Sequence, residues 1–256
     1  MATVFLVRHG RTKANADGIL AGWTPGVVLD EVGSAQAEQT AARLAPVALH
    51  AVVSSPLDRT IQTADAVVAA QAGLGRMPDC RVDERFGECG YGDWTGRPLR
   101  DLAKEPLWRV VQEHPSAAVF PGGESLLQMQ NRAVTAVREF NAEFGPDVAY
   151  AVVSHGDVIK AILADALGMH LDAFQRIVVD PCSVSVIRYA ERRPFVLRTN
   201  DTSGDFTGFA VTAPAPSVRG RGGRASRAAR AVATRVGRTT RRGMEASDAA
   251  VGGGSG

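Results

Sequence analysis

The sequence predicts an α/β protein, a three-layer sandwich with a mostly parallel central sheet flanked by helices, followed by a disordered basic C-terminal tail. Three observations predict it. Residues 3–7 (TVFLV), 51–54 (AVVS) and 150–154 (YAVVS) are short, continuous apolar runs of the length and β-branched content of fully buried strands. Segments of helical composition lie between them, the alternation that builds parallel sheets from strand–helix–strand units. From about Phe206 onward Ala, Pro, Gly, Ser and Arg replace the apolar pattern, a composition that cannot bury a core.

Taken in order, the first strand (3–7) ends abruptly in polar residues. After the Gly/Pro-rich stretch 18–26, residues 31–44 carry the Ala, Gln and Glu of a surface helix. The second strand (51–54) turns at Ser55 and Pro56 into a helix over 60–70. Further helices are expected over 98–111 and 125–144, the latter introduced by the turn residues Pro121-Gly122-Gly123. The third strand (150–154) leads into a helix over 158–167, and 184–189 and 195–199 read as two later strands. The core is expected to end close to Asn200. That divides the chain into a folded domain, 1–205, and an Arg/Ala/Gly-rich tail, 206–256. No internal repeat is present.

Composition excludes several classes. Of the 256 residues 45% are apolar and 22% charged, average globular usage rather than that of a disordered or collagen-like chain. No stretch approaches the roughly 18 consecutive apolar residues of a membrane span. Arg8, His9 and Arg11 interrupt the apolar N-terminus too early for a signal peptide. Three cysteines without a CxxC pair read as reduced thiols, and the expected location is the cytoplasm. The net charge of +2 hides an asymmetry: nine arginines and no acid lie between Arg219 and Arg242, whereas residues 1–218 carry a net −5. An acidic body argues against a nucleic-acid-binding fold in the main domain. In the tail, the arginines of 224–242 fall within an arc of about 140° on a helical wheel. The plain expectation is a solvated tail without a partner; the alternative is weak electrostatic binding to anionic membrane or nucleic acid.

Chemistry-bearing residues gather at the strand ends, where open α/β sheets place their sites. The first strand runs into Arg8-His9-Gly10, the second into a segment containing Arg59, and the third into His155-Gly156-Asp157. Two guanidinium groups and two imidazoles suit a phosphate dianion, because arginine presents a planar fork of donors that matches phosphate oxygens. A histidine among such cations is biased to its neutral, nucleophilic form. Gly10 lets the backbone approach a ligand or adopt positive φ. An acid is also available, but the residues alone do not choose among Asp83, Glu84, Glu88 and Asp93.

Five ordered motifs now carry a resemblance: Arg8-His9-Gly10 with Thr12 and Asn15; Ser54-Ser55-Pro56-Leu57 with Arg59, Gln62, Thr63 and Ala64; Glu88 before Gly92-Asp93-Trp94 and Gly96; Pro121-Gly122-Gly123-Glu124-Ser125; and Ser154-His155-Gly156-Asp157. Over roughly residues 3–190 the chain resembles the histidine phosphatase superfamily, in its phosphoglycerate-mutase-like branch. The resemblance implies that His9 becomes phosphorylated and that Arg8, Gly10, Asn15, Arg59, His155 and Gly156 bind the phosphate. It further implies that Glu88 protonates the leaving oxygen and then activates water, with no metal and no cofactor. Arg11 departs from the family pattern and is expected to add positive charge at the pocket rim; residues 24–28 (TPGVV) depart from its Asp-containing loop. Thr12 is read as a helix N-cap, Glu124 and Ser125 as a helix start, and His50, His114 and His170 as surface residues. The short segment after Glu88 and the His-Gly-Asp motif favour a phosphomonoester phosphatase acting on a small phosphorylated metabolite. The alternatives are mutase-type phosphoryl transfer and, further off, a non-catalytic phosphate-binding protein. Natural substrate and oligomeric state are not legible.

Overall fold

A computed structural model describes residues 1–210. Its six strands are β1 (Ala2–Arg8), β2 (Leu49–Ser54), β3 (Asp79–Val82), β4 (Ala149–Ser154), β5 (Val184–Tyr189) and β6 (Pro194–Asp201). The helices are α1 (Lys13–Ala16), α2 (Glu31–Leu44), α3 (Asp58–Ala72), α4 (Leu99–Leu102), α5 (Pro106–Glu113), α6 (Leu126–Phe144) and α7 (Gly156–Ala166). The strand order is β3-β2-β4-β1-β5-β6. β1 to β4 run parallel, and β5 and β6 join antiparallel, so the mostly parallel sheet expected from the sequence is what forms.

The alternation of side chains along each strand makes the layers. Val4, Leu6, Ala51, Val53, Tyr150 and Val152 face one core, which α6 and α7 cover. Phe5, Val7, Val52, Ala151 and Val153 face the other, with Ala41 and Leu44 of α2 and Ala64 and Val67 of α3. Buried on both faces, these strands read as unbroken apolar runs rather than alternating ones.

Register positions the site. Arg8 pairs across the ladder with Ser154, and Ser54 with Val153, so three carboxyl ends finish side by side. From there the chain leaves β1 through α2 toward β2 and leaves β4 through α7 toward β5, which lie on opposite sides of the β4–β1 pair. That divergence is a topological switch point, where open sheets leave a crevice.

Several expectations change. The helix expected over 98–111 is two helices, α4 and α5: Pro106 lacks an N–H and restricts the residue before it. β3, at the sheet edge and largely exposed, carries no apolar run by which to recognise it. The packed body also continues past Asn200 and past the boundary expected after 205. Phe206 is fully buried, edge-on to Phe5 at 5.9 Å, and Phe209 meets the same ring at 5.5 Å. Arg43 ties this segment down through bonds to the carbonyls of Asp201 and Gly204. The amphipathic arginine segment 224–242 and the rest of the expected tail beyond Ala210 lie outside the described residues.

Candidate active site

Each strand end delivers one part of the constellation. Arg8 closes β1, fully buried, its Nη1 donating to the Val179 carbonyl at 2.7 Å. His9 follows, also buried, and its Nδ1 lies 2.7 Å from the Gly10 carbonyl. A carbonyl only accepts, so the proton sits on Nδ1 and the lone pair is left on Nε2. Arg59, in the first turn of α3, confirms that assignment by donating from Nε to His9 Nε2 at 3.3 Å. Arg59 Nη2 also donates to the Gly22 carbonyl at 2.8 Å and reaches His155 Nδ1 at 3.2 Å. Its Nη1 is buried with no hydrogen-bond partner among the described residues. The two imidazole rings stand 5.2 Å apart, and Ser55 Oγ lies 2.8 Å from His155 Nε2.

Stripping water from this cluster sets its charge states. Burial, then Arg59 and Arg8, hold His9 well below 6.5, and burial with Arg59 and His9 does the same to His155. Both are neutral at physiological pH, as the sequence argument required of His9. Burial also draws the two guanidinium groups down from their ordinary value, against the pull of Glu88.

Glu88 faces the histidines from the segment after β3. Its Oε1 accepts from the Cys89 N–H at 2.9 Å, and its Oε2 lies 3.8 Å from His155 Nδ1. Burial, followed by the charge of Asp157, pushes its carboxyl up to about 7, against the opposing pull of Arg59, the Cys89 N–H and Arg8. A carboxyl that keeps its proton near neutrality is a proton donor. Of the four acids left open by the sequence, Glu88 is the buried one beside the histidines; Asp83 is occupied by Arg85.

Other expectations are placed differently. Gly10 is a packing residue: a Cβ there would sit 2.4 Å from the Gly33 carbonyl oxygen, its φ is not positive, and its N–H already donates to Thr63 Oγ1 at 3.1 Å. Its carbonyl, which fixes the His9 tautomer, is what serves the site. Asn15 forms a capping box with Thr12, which is the N-cap expected; Asn15 Oδ1 accepts from the Thr12 N–H and hydroxyl, and the residue lines the cavity beside His9. Gly156 opens α7 against the Arg8 side chain, where an added Cβ would stand 3.6 Å from Arg8 Nε. Arg11 is held by Asp30 at 2.9 Å, so the expected excess charge at the rim is offset. His50, His114 and His170 are exposed, as expected, and burial pushes the Cys89 thiol far up, away from reactivity.

The sequence reading missed the clamp behind Glu88. Arg132 on α6 donates to the carbonyls of Arg85, Gly87 and Glu88 and pairs with Glu124 at 2.6 Å, while Glu124 accepts from the Gly90 N–H. Trp23 Nε1 donates to the Glu88 carbonyl, and Ser154 Oγ to that of Phe86. Gly92, at φ +52°, packs backbone to backbone on Pro121-Gly122-Gly123; a Cβ would lie 2.1 Å from the Pro121 oxygen. Glu124 therefore braces the loop that carries Glu88. Ser55 and Thr63 lay inside a recognised motif and were legible in principle; Arg132 had no such mark.

Two cavities meet at Asn15. The smaller, about 20 Å³, is lined by His9, Arg59, Glu88 and Gly22. The larger, about 810 Å³, lies between α1, α2 and residues 180–182 and is lined by Arg11, Gln36, Gln39, Asp180 and Thr202 among others. The smaller one brings His9, Arg59 and Glu88 together.

The branch 1 model of the histidine phosphatase superfamily matches residues 4–202. Phosphoserine phosphatase 1 of Hydrogenobacter thermophilus is 31% identical over 205 residues, covering 79% of this chain and 93% of that protein. A protein of Yersinia pestis (strain Pestoides F) named as a probable phosphoglycerate mutase, GpmB, is 32% identical over 196 residues, covering 75% and 86%. Bacillus stearothermophilus YhfR superposes with a TM-score of 0.72 at 27% identity, covering 79% of this chain and 98% of that structure.

Proposed function

The chain belongs to the histidine phosphatase superfamily, branch 1, and from that premise we propose that it is a phosphomonoester phosphatase working through a phosphohistidine on a small phosphorylated metabolite. The observation that carries the reading is the neutral His9, its Nδ1 fixed by Gly10 and its Nε2 directed at Arg59 in a buried cationic pocket.

The residues then act as follows. Arg8, Arg59, His155 and the Asn15 amide hold the phosphate, with Gly10 and Gly156 shaping the backbone around it. His9 Nε2 attacks phosphorus; the N–P bond forms, the P–O bond to the leaving group breaks, and the Glu88 proton passes to the departing oxygen. Water then attacks the phosphoryl group, its proton returns to Glu88, and the N–P bond breaks to restore the Nε2 lone pair. No metal or cofactor is called for, since two fixed guanidinium groups already supply the positive charge and would repel a cation. The larger cavity beside Asn15, lined by both polar and apolar side chains, offers room for the remainder of a small substrate.

The test is phosphate release from an alkyl and an aryl phosphate in the presence of a chelator, with rapid-quench trapping of an acid-labile, alkali-stable phosphoenzyme. A phosphoenzyme retained in His9→Ala, or activity abolished by the chelator, contradicts the mechanism. The resemblance to GpmB favours a second reading, mutase-type transfer; conversion of 3-phosphoglycerate to its isomer faster than its hydrolysis would select it. Free Cys80, Cys89 and Cys182 support a reducing, cytoplasmic setting. The nine arginines of 219–242 support electrostatic attachment to an anionic surface. Salt-reversible sedimentation with anionic vesicles, lost on truncation after Ala213 with full phosphatase activity kept, tests that attachment.

A further inference from the structure

One buried ionisable cluster takes no part in the steps above: Tyr91, Asp157 and Lys160, all fully buried. Charges in a core persist only when partnered, and these partner one another. Asp157, the second residue of α7, accepts the Tyr91 hydroxyl on Oδ2 at 2.8 Å. Its Oδ1 lies 3.5 Å from Lys160 Nζ and has no hydrogen-bond partner among the described residues. Lys160 in turn donates to Gln175 Oε1 at 3.2 Å. Tyr91 sits on the Glu88 loop, three residues after the acid, and Asp157 two residues after His155.

We propose that Asp157 is the positioning residue of the acid: through Tyr91 it holds the Glu88 loop against α7, and its negative charge keeps a proton on Glu88. This rests on the phosphatase reading and adds which charged group works with burial against the two arginines beside Glu88. Every element packed against Glu88 contributes to the balance. Arg8 at the end of β1 and Arg59 on α3 favour the carboxylate, as does the Cys89 N–H. His9 and His155 are neutral. Burial pushes the Tyr91 hydroxyl and the Cys89 thiol up, so neither adds charge. Glu124 is paired with Arg132 at the back of the loop. Burial favours the protonated carboxyl most, and Asp157 is the anion that adds to it against the arginines, acting in a water-excluded site where charge is weakly screened.

The test uses the full chain and follows kcat/KM against pH with an alkyl phosphate, which needs the acid, and an aryl phosphate, which does not. Asp157→Asn keeps an oxygen for the Tyr91 hydroxyl and removes only the charge. The alkaline limb for the alkyl substrate is expected to move down by about one pH unit, roughly a tenfold loss at pH 8.5 and none at pH 5.5. The aryl profile stays in place. Because the asparagine leaves Lys160 without a counter-ion, Asp157→Asn/Lys160→Met is the second variant, and it should show the same displacement. Tyr91→Phe, which loosens the loop but keeps the charge, should lower kcat without moving the limb. An unmoved limb in both Asp157 variants, or equal loss on both substrates at every pH, overturns the proposal. Absence of hydrolysis by the unaltered protein would instead remove the phosphatase reading beneath it.

Discussion

Replacing Glu88 by glutamine tests the division of labour in this site most directly. The side chains are nearly isosteric, and the amide oxygen can keep the 2.9 Å bond from the Cys89 N–H, so the loop and the phosphate-holding groups stay in place. What is lost is the transferable proton. An alkyl phosphate must expel an alkoxide, and removing its proton donor should cost about 10²–10⁴-fold in kcat/KM, on the order of 3–5 kcal/mol of transition-state stabilisation. An aryl phosphate with an electron-poor ring leaves as a stable phenolate and should lose less than about tenfold in the same parameter. The assay is steady-state phosphate release with both substrates at pH 6, below the value of about 7 to which Glu88 is pushed. In the unaltered protein, raising the pH through that value should reproduce the substitution for the alkyl substrate alone. Equal losses on the two substrates would refute the assignment and move the search to Asp83 and Glu84.

Arg59→Met should lower activity by at least about 10²-fold, yet leave stability unchanged or raise it by up to ~1 kcal/mol, since a buried cation with an unpartnered Nη1 is removed; urea unfolding checks this, and a large destabilisation would contradict it. Phe206→Ala should cost ~3–5 kcal/mol in unfolding free energy through the cavity left against Phe5 and Phe209, with kcat unaltered; a cost below ~1 kcal/mol would show that the segment past residue 205 is not part of the core. Stability should also fall as pH drops below 6.5, because His9 and His155 are held below that value and only the unfolded chain takes up their protons. Glu88 acts oppositely: held above its ordinary 4.5, it favours the fold at low pH and loses that contribution as pH rises through about 7. The urea midpoint should therefore fall between pH 7 and 5.5, and fall less in His9→Asn/His155→Asn; the same drop in both proteins would contradict the linkage.

The fold was legible because its central strands are buried on both faces, so 3–7, 51–54 and 150–154 stand out as apolar runs bounded by polar residues. β3 was not, since an exposed edge strand gives no such run. Phe206 and Phe209 were missed for a related reason: two aromatics in a polar stretch look like a tail until tertiary packing turns them onto Phe5. At the site, residues borne on strand ends were found because the strand context repeats three times. Those that act from behind were not. Arg132 reaches the Glu88 loop from 44 positions away, and Gly10 was assigned a ligand role when its backbone is occupied by Thr63 and His9. Hydrogen bonds to main-chain atoms place no demand on residue type that a motif could display.

The charge states of the site follow from burial at three strand ends together with the charges of Arg8, Arg59 and Asp157, and in the proposed mechanism this separates affinity from rate. In that mechanism the phosphoryl group stays with Arg8 and Arg59 whether it is bonded to the leaving oxygen, to His9 or to water's oxygen. These arginines therefore bind ground states and intermediate alike, and such uniform binding sets affinity more than turnover. Glu88, in the same mechanism, changes state twice per cycle, giving its proton to one oxygen and taking one from another, so discrimination between leaving groups would reside there. A site built this way is strict about the phosphate and tolerant of what the phosphate is attached to. Selection among metabolites then has to come from surfaces outside the reacting centre, and the larger cavity that shares Asn15 adjoins that centre.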